Sequence, residues 1–187
     1  MTAKLAAESF AEGEANFRKL QAQAEEVNKA AQLSLQTLKA GGHLFFCGNG
    51  GSASDAQHIA AELVGRFMKE RRALAATALH ANTSTLTAVA NDYSYDVIFS
   101  RQLEGLAKKG DVLFALSTSG NSKNVLKAAE TAKAMGLKVI GLTGSKGGKL
   151  AELCDLCLKV PSDHTPRIQE MHIAVGHVIC AIIDDAI

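Results

Sequence analysis

The sequence predicts a doubly wound α/β domain on a five-stranded parallel sheet, with an N-terminal helical segment and a long C-terminal helix. Two observations carry this. Five short apolar runs are spread along the chain: HLFFC (43–47), LAATAL (74–79), DVLFAL (111–116), LKVIGL (137–142) and DLCLKV (155–160). Helical stretches lie between them, at 53–69, about 84–90, 96–108, 122–135 and 148–153. Short buried strands alternating with helices make βαβ units, whose strands are covered on both faces and so read as continuous apolar runs.

The elements follow in chain order. Between residues 3 and 40, Leu5, Phe10, Phe17, Leu20, Val27, Ala31, Leu35 and Leu38 recur mostly at helical spacing. Gly13 leaves open whether this is one helix or two, and Gly41 and Gly42 end it. The first strand opens into GNGGS and a helix, the third into STSGNS and another. A final helix covers about 165–186, with Thr165 fitting the N-cap and Pro166 the first helical position. One domain is expected over 1–187: a helical segment at 1–40 and an α/β core at 41–187, without internal repeat or linker.

Composition narrows the function classes. Twenty Lys and Arg against nineteen Asp and Glu give a net charge of +1, which argues against a nucleic-acid binder with a broad basic face. With 47% hydrophobic and 21% charged residues, the chain is not disordered as a whole. No apolar run approaches the roughly 18–20 residues of a membrane span. The N-terminus is charged throughout, unlike a secretory signal. Four cysteines do not make a disulfide scaffold. A cytoplasmic protein with neither membrane nor nucleic-acid partner is expected.

In such sheets ligands sit beyond the carboxyl ends of the strands. Two loops there suit an anion. In Gly48-Asn49-Gly50-Gly51-Ser52, glycines let backbone N–H groups approach a ligand, and Ser52 with Asp55 fits a capping box. A tight turn without ligand is an equal reading. The loop is neither a dinucleotide fingerprint nor a P-loop. In Ser117-Thr118-Ser119-Gly120-Asn121-Ser122, four hydroxyls cluster at a helix N-terminus, more than capping needs, so a phosphate is favoured. The loop at Thr143–Gly148, with Lys146, is a weaker candidate that reads as a turn.

His58 and Glu62, four apart on a helix, share one face and suit an acid/base pair, two metal ligands or a surface pair. His172 and His177 are five apart, about 140° around a helix, so they face different ways. Gln169 and His177 are eight apart, on similar faces but roughly 12 Å along the axis. They meet one ligand only by reaching toward each other, unless one serves a partner chain's site. A core histidine is the plainer reading of His177 among Val175, Val178 and Ile179. Asn91-Asp92 is a helix C-cap or a polar pair aimed into the strand-end crevice. Strand parity sets Cys154 and Cys157 on opposite sheet faces, and with Cys47 and Cys180 they read as buried structural thiols.

Taken together, CGNGGSASDAQHIAAELVGRF, AVANDY, ALSTSGNS, LTGSKGGKLAELCD and RIQEMHIAVGHVIC, in that order between about residues 41 and 187, resemble the phosphoheptose isomerases. These are single sugar-isomerase (SIS) domain proteins with a flavodoxin-like fold. The resemblance implies interconversion of sedoheptulose 7-phosphate and D-glycero-D-manno-heptose 7-phosphate through an enediol. That is the first step toward nucleotide-activated heptose for lipopolysaccharide or capsule. It assigns the phosphate to Ser117, Thr118, Ser119 and Ser122. Further substrate contacts fall to Asn49, Gly50, Gly51, Ser52, Glu62, Asn91, Asp92 and Gln169. Acid/base roles fall to Glu62 and His177, and one zinc ion per subunit to His58, Glu62, Gln169 and His177. It also implies a homotetramer with active sites between subunits. Pro166 stands where some relatives carry an acidic residue. The alternative is a non-catalytic SIS module that binds a replication initiator or senses sugar phosphates. The initiator-associating branch lacks the groups at 62 and 177, and this sequence retains both.

Overall fold

The computed structural model describes residues 2–187. Helix α1 (Thr2–Leu20) passes through Gly13 without interruption and ends in a 3₁₀ turn at Gln21–Gln23, after which α2 (Ala24–Lys39) resumes. The break is therefore eight residues beyond the glycine. The Gln23 amide fastens it by donating to the Lys159 carbonyl.

The core follows as β1 (Leu44–Cys47), α3 (Gly51–Val64), β2 (Ala76–Ala78), α4 (Thr83–Asp92), a 3₁₀ turn at Tyr95–Val97 and α5 (Ser100–Leu106). It continues as β3 (Val112–Leu116), α6 (Lys123–Ala134), β4 (Lys138–Thr143), α7 (Leu150–Leu153), β5 (Leu156–Lys159) and α8 (Thr165–Ala186). The five strands are parallel, in the order β2-β1-β3-β4-β5. Alternate residues of each strand serve opposite faces. Leu44, Phe46, Val112 and Phe114 pack under α2, α3 and α8, with the Phe46 and Phe114 rings stacked at 4.7 Å. Phe45, Cys47, Leu113 and Ala115 pack under α5 and α6. From β1 the chain winds outward to β2, then returns past β1 to β3. The switch point therefore lies between β1 and β3, the two strands that end in the Gly-rich and Ser-rich loops.

Several expectations are corrected. The helix expected at 53–69 runs from Gly51 to Val64. It starts early because Gly50, at φ +55°, turns the chain into the helix as its N-cap. Ser52 is then inside the first turn, and the capping box with Asp55 does not form. It stops early because the Arg71 guanidinium takes the Glu62 and Leu63 carbonyls, both at 2.9 Å. Arg71 is itself paired with buried Asp184 of α8 at 2.6 Å. The stretch expected at 96–108 divides into the 3₁₀ turn and α5. Helix α8 takes His164 as N-cap, with Thr165 the first helical residue and Pro166 following. Cys154 is not on a strand: it caps α7, and both it and Cys157 are only partly buried. Strand parity does not reach across the bend at Asp155, and the two thiols converge on one side, over Gly141. No helix among the described residues is long and apolar enough to cross a membrane.

Candidate functional site

Two loops meet at the switch point. Gly48 packs so tightly on the first turn of α3 that a Cβ there would lie 2.5 Å from the Ser52 carbonyl oxygen. Asn49 is gripped from two sides. It exchanges amide hydrogen bonds with Asn124 of α6, both at 2.8 Å, and accepts one from the Tyr95 hydroxyl at 2.9 Å. The Gly-rich loop, the Ser-rich loop's helix and the segment after α4 are thereby joined. Asn91 and Asp92 form the exposed last turn of α4, with the Asn91 amide donating to the Asp92 carboxylate at 2.9 Å. The C-cap is Tyr93, so neither of them caps the helix.

In the second loop Ser117 is buried, and its Oγ lies 3.0 Å from that of Ser122, the N-cap of α6. Ser122 makes no capping bond, so its hydroxyl is committed to the loop interior rather than to the helix. Ser119 Oγ accepts from the Asn121 N–H at 3.1 Å. A cavity of about 290 Å³ opens beside this loop, lined by Thr118, Ser119, Asn121, Lys146, Asp163 and Thr165 among others. Lys146 thus lies beside the hydroxyl loop rather than in a detached turn. Its ammonium is 3.2 Å from the Asp163 carboxylate, which also takes the Ser145 hydroxyl at 2.5 Å. The Ser-rich loop is laced to the segment between β4 and α7 by Gly144 N–H to Thr118 O at 3.0 Å and Leu150 N–H to Gly120 O at 2.9 Å. Gly120 has φ +65°, and a Cβ there would strike the Gly147 carbonyl at 1.9 Å, so only glycine fits.

The third group lies where α3 crosses α8. Gly176 lets the helices touch: a Cβ on it would lie 2.4 Å from Ile59 Cδ1. The residues adjoining this contact are His58 and His177, whose Nε2 atoms are 3.4 Å apart. Glu62 Oε1 is 3.0 Å from His58 Nε2. One ligand atom from each of His58, Glu62 and His177 lies within 4.8 Å of the others. His177 is partly buried and stacks on Phe67 at 5.6 Å, so it is not a core histidine. The core histidine is His172, fully enclosed, its imidazole driven down to about 4 by burial against a weak pull upward from the Thr143 backbone. Gln169, one face with His177 in the helix pattern, lies against Gly51. A Cβ on Gly51 would meet its amide nitrogen at 2.5 Å. Gly51 precedes His58 by seven residues, roughly 10 Å of helix rise.

Asp55, between these features, has a carboxylate oxygen with no partner. Burial lifts its pKa to about 6, partly offset by His58. Two imidazoles and a carboxylate are donors suited to zinc, and three such ligands leave an open coordination position. The helix N-termini of α3 and α6 sit at the carboxyl edge of the sheet, where the positive ends of their dipoles favour an anion, although the Ser52, Ala53 and Ser54 N–H groups of α3 are already bonded to the Asn49 and Gly50 carbonyls. Lys146 was read from the sequence only as part of a weaker loop that looked like a turn, and Asn124, Tyr95 and Asp163 were not singled out. Of these three, only Asn124 left a trace there, as a polar residue just inside the helix that STSGNS opens.

The chain is similar to known proteins throughout its length. A SIS-domain family model matches residues 10–144. The phosphoheptose isomerase of Rhodospirillum rubrum is 61% identical over 88% of this chain and 87% of its own. That of Aliarcobacter butzleri is 52% identical over 99% and 98%. The structure of the Neisseria gonorrhoeae phosphoheptose isomerase superposes with a TM-score of 0.94 at 44% identity, covering 99% of this chain and all of that one. By sequence and by fold, the chain belongs to the SIS-domain family, among the phosphoheptose isomerases.

Proposed function

We propose that this chain interconverts sedoheptulose 7-phosphate and D-glycero-D-manno-heptose 7-phosphate, at the entry to heptose synthesis for a cell-surface polysaccharide. The observation that carries this reading is the meeting of a carboxylate and two imidazoles at the α3–α8 crossing, in a chain that also holds a hydroxyl-lined anion loop.

The Ser117, Thr118, Ser119 and Ser122 hydroxyls, with the N–H groups that open α6, take the phosphate. Asn49, Gly50, Gly51, Ser52, Asn91, Asp92 and Gln169 contact the sugar, and Asn49 is held for this by Asn124 and Tyr95. Moving the carbonyl from C2 to C1 requires removal of a proton from C1 and its return at C2. Glu62 performs this transfer through the enediol. His177 moves protons between the two oxygens. Both roles need only that the groups reach the substrate.

His58, Glu62 and His177 fit a zinc ion, with Gln169 as a fourth ligand or as a substrate contact. A bound zinc supplies a Lewis acid that polarises a carbonyl oxygen. Homotetramer assembly is supported by apolar side chains left outside the fold: Leu5, Phe10 and Phe17 on α1 are 68%, 76% and 40% exposed, and Val178 beside His177 is 49% exposed. Assembly through these faces would bring active-site groups of different subunits together, Gln169 among them.

The test is conversion of sedoheptulose 7-phosphate by metal-stripped protein, before and after zinc addition. Aldose formed only with zinc supports both the isomerase and its metal. Aldose in both samples keeps the isomerase and removes the metal requirement. Tight sugar-phosphate binding with no aldose in either overturns the proposal in favour of a sensor.

A further inference from the structure

The Cys154-x-x-Cys157 motif takes no part in the chemistry above. Cys154 caps α7, and Cys157 is the second residue of β5. Asp155 fixes the bend between them. Its N–H donates to the Val139 carbonyl at 2.9 Å, and its carboxylate takes the Val139 N–H at 2.9 Å and the Lys138 ammonium at 2.7 Å. With the bend so held, both thiols point over Gly141, the β4 residue paired with Cys157. A Cβ on Gly141 would lie 2.5 Å from Cys154 Sγ and 3.4 Å from Cys157 Sγ. The two sulfurs therefore share the space that a side chain at 141 would fill. Cys47 and Cys180 are buried, whereas this pair is only partly so.

We propose that Cys154 and Cys157 are a redox-active dithiol that hydroperoxides close to a reversible disulfide. Cys157 is the attacking sulfur. The Cys154 thiol beside it holds its pKa below the usual thiol range, against burial and with help from the Thr143 hydroxyl at 3.7 Å and from Lys159. Cys154 is shifted the other way, first by that same contact and then by burial, so it stays a thiol and donates to the Leu150 carbonyl at 3.1 Å. The Cys157 thiolate attacks one peroxide oxygen. With hydrogen peroxide the S–O bond forms, the O–O bond breaks, and the departing hydroxide takes up the proton that the Cys157 thiol had released, giving a sulfenic acid and water. Cys154 then attacks that sulfur. The S–S bond forms, the S–O bond breaks, and the departing hydroxide takes the Cys154 proton as a second water. Two electrons pass from the sulfurs to the peroxide. A disulfide in so short a loop and near the surface is open to a thiol reductant, which returns both sulfurs to thiols.

The experiment uses the full chain, reduced, desalted and treated with an equivalent of hydrogen peroxide, then alkylated and mapped by peptide mass spectrometry. Two of the four free thiols are expected to disappear, as one peptide linking Cys154 to Cys157, and to return with dithiothreitol. In Cys154→Ser, Cys157 is expected to stop at a sulfenic acid that dimedone traps. In Cys157→Ser, peroxide consumption is expected to fall at least about tenfold. The proposal is overturned if all four thiols survive. It is equally overturned if Cys157 is driven to sulfinic acid while Cys154 remains free, or if the loss falls on Cys47 or Cys180. Should a serine variant fail to fold, the wild-type peptide map decides alone.

Discussion

His177 Nε2 on α8 lies 3.4 Å from His58 Nε2 on α3. Two ring nitrogens at that distance cannot both carry protons directed at each other, so at least one presents a lone pair to the space between them. Glu62 Oε1 is 3.0 Å from His58 Nε2. The three groups thus form a donor set open to a metal or to a reacting proton.

If that set holds zinc, dialysed protein will retain up to one ion per chain. His58→Ala and His177→Ala will each lower zinc affinity by more than the roughly 10–100-fold typical of losing an outer hydrogen-bond partner. Elemental analysis and zinc-dependent thermal shifts measure this independently of turnover. Unchanged zinc content in both variants would remove the metal assignment.

Glu62→Gln keeps the shape of the side chain and removes its basicity. Turnover is expected to fall by about 10²–10⁴-fold, while sugar-phosphate binding, measured by calorimetry, persists. Retained activity would exclude Glu62 as the base.

Ser122→Ala deletes one hydroxyl of the pair 3.0 Å apart in the Ser-rich loop proposed to hold the phosphate. A hydrogen bond to a charged group contributes about 1.5–3 kcal/mol, so KM should rise roughly 10- to 100-fold with little change in kcat. A fall in kcat at constant KM would place Ser122 in the chemistry instead.

The Arg71–Asp184 pair joins the end of α3 to α8, and both side chains are almost fully buried, at 5% and 2% exposure. Arg71→Leu leaves the Asp184 charge buried without its partner and should cost about 3–5 kcal/mol in urea unfolding. For Asp184, burial pushes the pKa up, but the Lys69 N–H, the Arg71 guanidinium and the Met68 N–H outweigh it, so the net shift is down. Its contribution is present above the unfolded-state value near 4 and is lost as pH falls through the lower folded value. Asp184→Asn should remove that acid-side loss.

His172 works in the other window. Its folded pKa, about 4, lies below the ordinary 6.5, so between these values the unfolded chain binds the extra proton. Stability should fall as pH drops from 6.5, by about 2 kcal/mol at pH 5. His172→Leu should flatten this slope relative to wild type in urea titrations at pH 7 and pH 5. An identical slope would show that His172 accepts its proton without unfolding.

The architecture was legible in the sequence because a doubly covered parallel sheet writes itself as apolar runs. The runs at 43–47 and 111–116 contain β1 and β3, and the Gly and Ser residues after them mark the site loops. His58 and Glu62 were legible as a pair because helical spacing places them on one face. Boundaries were less so. The end of α3 depends on Arg71, seven residues beyond Val64, reaching back to its last carbonyls. No local signal announces that contact.

By itself, then, the sequence determined the fold class, the two switch-point loops and which residue types could hold a phosphate or a metal. These depend on periodicity, backbone freedom and side-chain chemistry, all local properties. Only the tertiary structure decided that His177 meets His58 rather than filling the core, because that depends on Gly176 letting Ile59 and α3 close on α8. Only it decided that Asn49 is held by Asn124 and Tyr95, and that Lys146 lies beside the hydroxyl loop. The same holds for Cys154 and Cys157, which a bend fastened by Asp155 turns toward one another. Each of these joins residues distant in sequence, or reverses a local periodicity, through packing and hydrogen bonds that exist only once the chain has folded.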